Sequence, residues 1–521
     1  MKAKKVISKV AAAAIAGALL LSSVYAANVE VQPSNLSQSN SKVTVNSGRK
    51  VIKKSSSQSD KPKYVFLFIG DGMSYPQFQA ASDYLGAVAD QDNDDILDGN
   101  KPLNFMNFPV AGSAVTYDST SFCPDSASTA TSISTGHKTY SGTINMDETM
   151  TVKYETIAEQ LKDEGYDIGV VSSVNLNHAT PAAFYCHQAS RNNYYEIGEE
   201  LIASDFDYFA GGALLKPTGA EGNKEDLYKK AEKAGYKVVK TQAAAEKVSA
   251  KDEKVLMIAE HLADSDSISY ENDRAKGEWA LADYVEKGIE VLEDNEKGFF
   301  MMVEGGKIDW ACHANDAGST INDTIALADA VGEAISFAKQ HPDETLILVT
   351  GDHETGGLTI GYAGTDYDTY LTNLSNQKIS YAKFDSDYVS KYKENKTPFA
   401  EMMKDVEKLF GLKMSGAEDD KLVLTEYEVG LIRKAYEKTL AGEKADGENQ
   451  AEYVLYGTYE PLSVTITHLL NNKSGISFSS YAHTGLPVAV FAEGVGQENF
   501  GGFYDNTQIY HKLADLMGIS K

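Results

Sequence analysis

YVFLFIGDG, residues 64–72, is an apolar run that ends directly in Gly-Asp-Gly. An apolar run without polar alternation is typical of a strand buried on both faces, as in a parallel sheet covered by helices. Taken alone, Gly-Asp-Gly after a strand is more often a turn, because Asp and Gly both favour turn geometry. Whether Asp71 has a function therefore depends on whether other strands end in the same way.

Three further apolar runs end in polar residues able to bind a metal. Helical patterns lie between the runs, and this alternation of strand and helix predicts an α/β sandwich with a large, mostly parallel central sheet. The carboxyl ends of parallel strands meet at one edge of such a sheet, so we expect the polar side chains to converge there. These side chains are His178 and Thr180 after residues 168–171, Glu304 after 299–303, and Asp352 with His353 after 346–349.

Asp309 and His313, in IDWACHAND, form a second kind of candidate. On a helix, residues four apart share one face, where both can reach one ion. A lone pair at this spacing is more often a surface pair or a helix cap, but its position five residues after Glu304 favours metal binding. His483 lies in a loop before another apolar run and could complete the same site.

PDSASTATSISTG, residues 124–136, has seven hydroxyl side chains, so composition alone does not show which of them is reactive. We expect a helix that starts at Ser126, with Asp125 at its N-terminus and Gly136 as its stop. There the backbone N–H groups and the helix dipole favour an alkoxide or a bound phosphate. Ser126 is therefore the candidate nucleophile, and the other hydroxyls are expected to pack inside the helix.

The donor types suggest which metals would bind. Imidazole with carboxylate suits zinc, whereas carboxylate, hydroxyl and water oxygens suit magnesium. The candidates divide into two sites with nitrogen ligands and one with oxygen alone, and paired metals stabilise the attacking and leaving oxygens of phosphoryl transfer. A Ser-His-Asp hydrolase is the competing interpretation, but the chain has no G-x-S-x-G elbow.

The N-terminus indicates export. Residues 1–26 have the charged start, apolar run and small-residue cleavage site of a signal peptide, and the apolar run is too short for a stable membrane span. Residues 27–60 are rich in Ser and Asn and are expected to be a flexible leader, with one catalytic domain over residues 61–521. We expect a periplasmic, cell-surface or extracellular protein.

Net charge and cysteine content argue against a nucleic-acid-binding protein, a protein of anionic membranes and a disulfide-stabilised fold. The formal net charge of −27 argues against nucleic acid or an anionic membrane as a partner. Cys123, Cys186 and Cys312 are too few and too widely spaced for a disulfide framework. We interpret them as small buried residues near a packed site, with one disulfide pair or metal ligation left open.

The sequence resembles the alkaline phosphatases through six motifs in the family's order, which frame nearly all of residues 61–515. The resemblance implies a three-layer α/β/α sandwich with a helical, crown-like insertion at about residues 363–478. It also implies hydrolysis of small phosphate monoesters to an alcohol and inorganic phosphate through a phosphoserine, and it leaves a homodimer open. The motifs are VFLFIGDGM (65–73), PDSASTATSISTG (124–136), NHATPAAFYCHQASR (177–191), MVEGGKIDWACHANDA (302–317), VTGDHETGG (349–357) and AHTG (482–485).

Carried over position by position, the resemblance implies two zinc ions, one magnesium ion and a phosphate clamp. Ser126 would be the nucleophile, and Arg191, oriented by Asp125, would hold the phosphate oxygens. The first zinc would take Asp309, His313 and His483; the second would take Asp71, Asp352, His353 and the Ser126 oxygen; magnesium would take Asp71, Thr180 and Glu304.

Two positions depart from the best-known bacterial member, which has Asp and Lys where this chain has His178 and Trp310. Some marine bacterial relatives share the pattern seen here. His178 is expected either to support the third site without binding the ion or to bias that site toward zinc. Two other functions stay open: a phosphodiesterase or sulfatase on the same metal scaffold, and a metal-stabilised surface protein without activity. The intact set of ligands and nucleophile favours the phosphatase.

Overall fold

The computed structural model describes residues 61–90, 97–443 and 447–519. The predicted signal peptide and leader, residues 1–60, lie outside this range, as does most of the acidic run in residues 90–99. Among the described residues, no helix combines the length and the apolar character needed to cross a membrane. The boundaries placed at residues 61 and about 363–478 stay predictions.

A ten-stranded sheet forms the centre of the described chain, with the order β14-β2-β13-β8-β1-β7-β3-β4-β6-β5. All neighbouring strands are parallel except β13, which runs antiparallel to both β2 and β8. The strands of this sheet are β1 (Tyr64–Gly70), β2 (Val110–Val115), β3 (Asp167–Ser172), β4 (Tyr208–Gly211), β5 (Lys237–Val239), β6 (Val255–Ile258), β7 (Phe299–Gly305), β8 (Thr345–Gly351), β13 (Val488–Gly494) and β14 (Gly502–Asp505).

Two small ribbons accompany the sheet, and helices connect its strands. The ribbons pair β9 (Glu354–Thr355) with β12 (His483–Thr484), and β10 (Thr359–Ile360) with β11 (Ile476–Ser477). The helices before the insertion are α1 (Tyr75–Ala89), α2 (Ser126–Thr135), α3 (Ile157–Asp163), α4 (Ala179–Ala182), α5 (Tyr194–Ala203), α6 (Leu227–Lys233), α7 (Gln242–Ala245), α8 (Leu281–Leu292), α9 (Lys307–His313) and α10 (Ala317–Ala338).

Alternate side chains of each central strand enter two different cores. In β1, Phe66 and Phe68 join one core, whereas Val65, Leu67 and Ile69 join the other. Both faces of the strand are therefore buried under helices, which is why its sequence is apolar without alternation. This arrangement confirms the predicted α/β sandwich with a mostly parallel sheet.

The predicted insertion is helical and shares a core with the sheet. Leu371, Phe384 and Met402 lie in the same core as Phe66 of β1. Thr425 and Glu428 form a capping box at the start of one insertion helix. The remaining helices are α11 (Tyr381–Phe384), α12 (Ser390–Asn395), α13 (Phe399–Phe410), α14 (Glu426–Ala441), α15 (Gln450–Tyr456), α16 (Pro461–Lys473) and α17 (Thr507–Met517).

The three cysteines are free. Cys186 and Cys312 are buried, as the sequence analysis expected. The expectation of burial is wrong for Cys123, which is exposed because it lies in the loop that precedes α2 rather than within the sheet or a packed helix.

Candidate metal centre

The ends of β1, β7 and β8 bring the predicted ligands to one edge of the sheet. Gly70 is in register with Gly305 on one side and with Gly351 on the other, so the residues that follow the three strands emerge at the same level. Three groups of ligand atoms result, each with all members within 4.8 Å of one another: Asp309, His313 and His483; Asp71, Asp309 and His353; Asp71, His178 and Glu304.

The first group has two imidazoles oriented by backbone carbonyls. His313 Nδ1 donates to the Tyr481 carbonyl at 2.6 Å, and His483 Nδ1 donates to the Pro124 carbonyl at 2.5 Å. Their two Nε2 atoms face each other at 3.0 Å and lie 3.4 and 3.6 Å from Asp309 Oδ1. A histidine whose Nδ1 proton is fixed in this way presents the lone pair of Nε2 to a cation.

The second group surrounds the candidate nucleophile. Ser126 Oγ lies 3.0 Å from His353 Nε2 and 3.4 Å from Asp71 Oδ1. His353 Nε2 is also 3.3 Å from both Asp71 and Asp352. Asp352 is held in place by the backbone N–H groups of Gly72 and His353. Donors of three side chains, Asp71, Asp352 and His353, therefore converge in a buried space beside the Ser126 hydroxyl.

Helix α2 places Ser126 as the sequence predicted. Asp125 is the N-cap and accepts from the backbone N–H of Ser128, and Gly136 ends the helix with a left-handed φ of 76°. Ser126 is the first helical residue and is buried. Further along the helix, Thr131, Ser132 and Thr135 donate to carbonyls four residues earlier, at 2.7, 3.0 and 2.7 Å. Those three hydroxyls are satisfied within the helix, whereas the Ser126 hydroxyl faces Asp71 and His353.

The third group contains two buried polar atoms without a hydrogen-bond partner in the described chain. They are His178 Nδ1 and Glu304 Oε1, 3.9 Å apart. Thr180 Oγ1 lies 3.4 Å from Asp71 Oδ2, and Ser172 donates to the other oxygen of Glu304. Buried polar atoms are rarely left unpaired, so this pair indicates a space built for an additional group.

Arg191 joins the third group to α2. Its Nη1 donates to Asp125 Oδ2 at 2.9 Å, and its Nη2 donates to His178 Nε2 at 3.0 Å. Each terminal nitrogen of a guanidinium has two protons, so one N–H of each remains available to an anion. Burial alone would lower the pKa of Arg191, but the charge of Asp125 and its hydrogen bond raise it.

Burial, and after it the charges of neighbouring carboxylates, makes three of these carboxylates unstable as anions. Burial, followed by the charges of neighbouring carboxylates, raises the pKa of Asp71 well above its usual range. Burial is also the main cause that raises the pKa of Glu304 to about 8 and that of Asp352 to about 7. Cations bound among them would favour the ionised forms, because metal ligation requires deprotonated carboxylates.

The histidines of the centre lower the pKa of Asp309, and their own pKa values are lowered by burial. Burial opposes ionisation of Asp309, but the three imidazoles of His313, His483 and His353 hold the pKa of Asp309 below its usual range. Burial lowers the pKa of His178 to about 3 and also lowers those of His353 and His483. These histidines are therefore neutral at neutral pH, which is the form that binds metal.

The donor types fit metal binding. All three groups combine imidazole nitrogen with carboxylate oxygen, the donor set that zinc prefers, so the third group does not consist of oxygen donors alone as the sequence suggested, because His178 lies within it. The Thr180 hydroxyl beside Asp71 adds an oxygen donor of the kind that magnesium prefers. The unpaired Oε1 of Glu304 is consistent with an ion in the third group.

Two hydroxyls at the centre were missed by the sequence analysis. Thr129 Oγ1 donates to Asp352 Oδ2 at 3.0 Å, and Thr355 Oγ1 donates to Asp309 Oδ1 at 2.5 Å. The first could have been found, because residues 126 and 129 share one face of a helix. The carbonyls of Pro124 and Tyr481 left no such signal, since any residue supplies a carbonyl.

Comparisons with known proteins identify the family of the chain. The sequence model of the family described as alkaline phosphatase matches residues 62–519. Alkaline phosphatase 4 of Bacillus subtilis (strain 168) is 30% identical over 465 residues, which cover 87% of this chain and 89% of that protein.

Solved structures resemble the fold in the same way. The cold-active alkaline phosphatase of the psychrophile Shewanella sp. is 27% identical, with a TM-score of 0.71 over 87% of this chain and 99% of that one. The alkaline phosphatase of Thermus thermophilus has a TM-score of 0.72 over 89% of this chain and 93% of that one, at 23% identity, and supports the fold alone.

Proposed function

The chain belongs to the alkaline phosphatase family and is a phosphomonoesterase, and from this premise we propose that Ser126 is its nucleophile. The proposal rests chiefly on one observation. The Ser126 hydroxyl is the first helical side chain of α2 and lies 3.0 Å from His353 and 3.4 Å from Asp71, inside a ring of metal-binding donors. Such a hydroxyl is activated at the position where phosphate would bind.

In the proposed reaction, Ser126 attacks the phosphate monoester, and a phosphoserine forms as the alcohol leaves. The N-terminus of α2 directs backbone N–H groups and its dipole toward the negative charge that develops there. The free N–H groups of Arg191 orient two phosphate oxygens, and Asp125 and His178 hold the guanidinium in place. Attack of water on the phosphoserine then releases inorganic phosphate and restores Ser126.

One zinc ion would be bound by Asp309, His313 and His483. A second would be bound by Asp71, Asp352, His353 and the Ser126 oxygen. Two ions at these positions supply electrostatic stabilisation to the attacking and leaving oxygens. The family is metal-dependent, and the donor types support zinc at these two positions.

The third position would hold magnesium through Asp71, Thr180 and Glu304. The hydrogen bond from Arg191 to His178 Nε2 requires that the proton of the neutral imidazole be on Nδ1. That Nδ1–H points toward Glu304 and presents no lone pair to an ion, so His178 supports the third position without binding the metal directly. This favours magnesium over zinc.

The test is a matched pair of substitutions in α2. Ser126→Ala is expected to lower kcat for 4-nitrophenyl phosphate at alkaline pH by at least about a thousandfold, because the nucleophile is lost. Ser132→Ala removes another buried hydroxyl of the same helix, one that bonds only within the helix, and is expected to keep the activity within about twofold.

Acid-quenched reactions with ³²P-labelled inorganic phosphate provide a second measurement. The wild type and Ser132→Ala should retain label on the protein, whereas Ser126→Ala should not. Activity of Ser126→Ala within tenfold of the wild type, or label on that variant, would contradict the assignment. A stronger preference for a phosphodiester or a sulfate ester than for a monoester would overturn the substrate class.

Export is part of the same proposal. The charged start, apolar run and cleavage site of residues 1–26 support a secreted or periplasmic enzyme. N-terminal sequencing of protein from the medium or periplasm should begin at Ala27. A cell-associated protein that retains residues 1–26 would contradict this.

A further inference from the structure

Four aromatic side chains form a band around α9, the helix that carries Asp309 and His313. We call Trp310, Tyr381, Tyr459 and Tyr481 the aromatic arc. The rings of Tyr381 and Tyr459 meet edge to face at 5.8 Å, and those of Tyr459 and Tyr481 lie 6.2 Å apart at 31°. All four are only partly buried.

Buried groups behind the arc connect Trp310 to the tyrosines. Lys307 Nζ lies 4.9 Å from the Trp310 ring centre and 3.6 Å from that of Tyr270. Tyr270, which is fully buried, lies 5.9 Å from Tyr381. Lys307 is itself buried and donates to Asp264 and Ser267, so its position is fixed. The arc is therefore one connected set of rings rather than scattered surface residues.

The arc borders the metal centre at both ends. Tyr481 accepts, through its carbonyl, the hydrogen bond that orients His313. The ring of Trp310 meets His178 edge to face at 5.9 Å, and His178 contacts Arg191. Tyr459 is connected to the centre through its ring contact with Tyr481, at 6.2 Å between ring centres.

The Tyr481 ring is held rigidly. Its hydroxyl donates to the Leu455 carbonyl at 2.7 Å, and its ring stacks with that of His468 at 5.9 Å. A Cβ at Gly457 would lie 2.7 Å from the Tyr481 ring, so only glycine allows this ring to pack so closely on the backbone. A rigid ring loses little conformational entropy when a ligand stacks on it.

The leaving alcohol would depart toward the arc. An in-line displacement puts the leaving oxygen opposite Ser126 Oγ. Ser126 contacts Asp71 and His353, whereas its hydroxyl makes no contact of this kind with His313 or His483 in the described structure. The leaving side is therefore that of His313 and His483, and the arc reaches it through Tyr481, whose backbone carbonyl accepts from His313.

We propose that the aromatic arc is a subsite that stacks the base of nucleoside monophosphates. The inference rests on the proposed function, in which the nucleoside is the leaving alcohol. Tyrosine and tryptophan faces stack on any base, so the subsite selects for a planar ring rather than for one base. The net charge of −27 disfavours a polynucleotide, so the ligand is a single nucleotide.

The first experiment compares adenosine 5′-monophosphate with ribose 5-phosphate. Both are esters of the ribose 5-hydroxyl, and they differ at C1, which carries the base in adenosine 5′-monophosphate and a hydroxyl in ribose 5-phosphate. Tyr459→Leu should lower kcat/KM for adenosine 5′-monophosphate by about fivefold, mainly through KM, and leave ribose 5-phosphate within about twofold. Tyr459→Phe keeps the ring and should retain the preference for the nucleotide.

Tyr427→Leu is the matched control, because this tyrosine lies on the same insertion, is 75% exposed and is outside the arc. Equal loss for both substrates in Tyr459→Leu would show that the ring is only structural. No loss for either would show that it does not contact the base. If wild-type enzyme failed to hydrolyse ribose 5-phosphate, the proposed function itself would fail, which is a separate result.

The second experiment measures binding without turnover. The chain has two tryptophans, so Trp279→Phe leaves Trp310 as the fluorescent reporter. Titration of the metal-loaded variant with adenosine should quench Trp310, and ribose should not. Absence of quenching at adenosine concentrations that inhibit hydrolysis competitively would overturn the subsite.

Discussion

The metal centre and the aromatic arc are neighbours, yet they are built in opposite ways. The centre draws short side chains from strand ends in parallel register, and Asp71, Asp352 and His353 are fully buried. The arc draws long aromatic side chains mostly from the insertion and the loop before β12, and its rings keep part of their surface exposed.

This difference corresponds to the role proposed for each region. Phosphoryl transfer depends on donors placed to within about half an ångström, which a strand register and backbone hydrogen bonds provide. Stacking tolerates looser placement, because every base has a flat face. Substitutions at the sheet edge should therefore affect every substrate, whereas substitutions in the insertion should affect selectivity or stability alone.

Removal of metal should have the largest effect and should act on the sheet edge. Dialysis against a chelator is expected to abolish hydrolysis of all monoesters and to lower Tm, because buried Asp71, Asp352 and Glu304 lose the charges that balance them. Addition of zinc with magnesium should restore both. Full activity after chelation, with metal content confirmed as zero, would contradict the proposed centre.

Arg191→Lys should have the next largest effect. Lysine cannot keep the contacts with Asp125 and His178 and still present a fork to phosphate. We expect kcat/KM to fall about 10- to 100-fold for adenosine 5′-monophosphate and ribose 5-phosphate alike, with weaker inhibition by inorganic phosphate.

Arg274→Lys provides the control for Arg191→Lys, since Arg274 pairs with Glu271 three residues away, outside the centre. Arg274→Lys should change neither kcat/KM nor the inhibition by inorganic phosphate. If Arg191→Lys lowered kcat/KM for adenosine 5′-monophosphate but not for ribose 5-phosphate, the metal centre and the aromatic arc would not have the separate roles proposed for them.

Asp385→Asn in the insertion should change stability and leave activity intact. Burial raises the pKa of Asp385 to about 7, and its buried Oδ1 has no hydrogen-bond partner in the described chain. Because the folded pKa lies above the unfolded one, its contribution to stability is present below about pH 4 and is lost as the pH rises to about 7. Asparagine carries no charge, so the variant should exceed the wild type by roughly 1–3 kcal/mol at pH 8.

Thermal unfolding across pH 4–9 checks this expectation, with Asp387→Asn as the control two residues away. The advantage of Asp385→Asn should appear only as the pH rises. An advantage of equal size at pH 4 and pH 8 would show that the carboxyl group is not the cause.

Local pattern made much of the centre predictable. Buried parallel strands have apolar sequences, and the residues after them meet at one edge, so Asp71, Glu304 and Asp352 could be grouped before the structure was known. The spacing of Asp309 and His313 and the start of α2 at Ser126 are likewise local, and both helices are present. The roles assigned to these residues stay predictions until the substitutions are made.

Features that depend on distant packing could not be predicted. The hydrogen bond between His483 and Pro124 joins residues 359 positions apart through a carbonyl, which has no sequence signature. The exposure of Cys123 depends on how its loop lies, and the arc depends on how the insertion folds onto α9. Each of these requires the tertiary structure, because no periodicity or motif encodes it.

The position of β13 determines when the sheet and the first group of ligands can be completed. This strand lies between β2 and β8, and the β12 residue His483 just before it completes the first group of ligands. During synthesis, the sheet therefore has a gap and the first metal group lacks one member until residues 483–494 have emerged. A chain that stops earlier has most of the domain and all members of the other two groups but lacks His483, so the first group would be the one that a truncated chain fails to assemble.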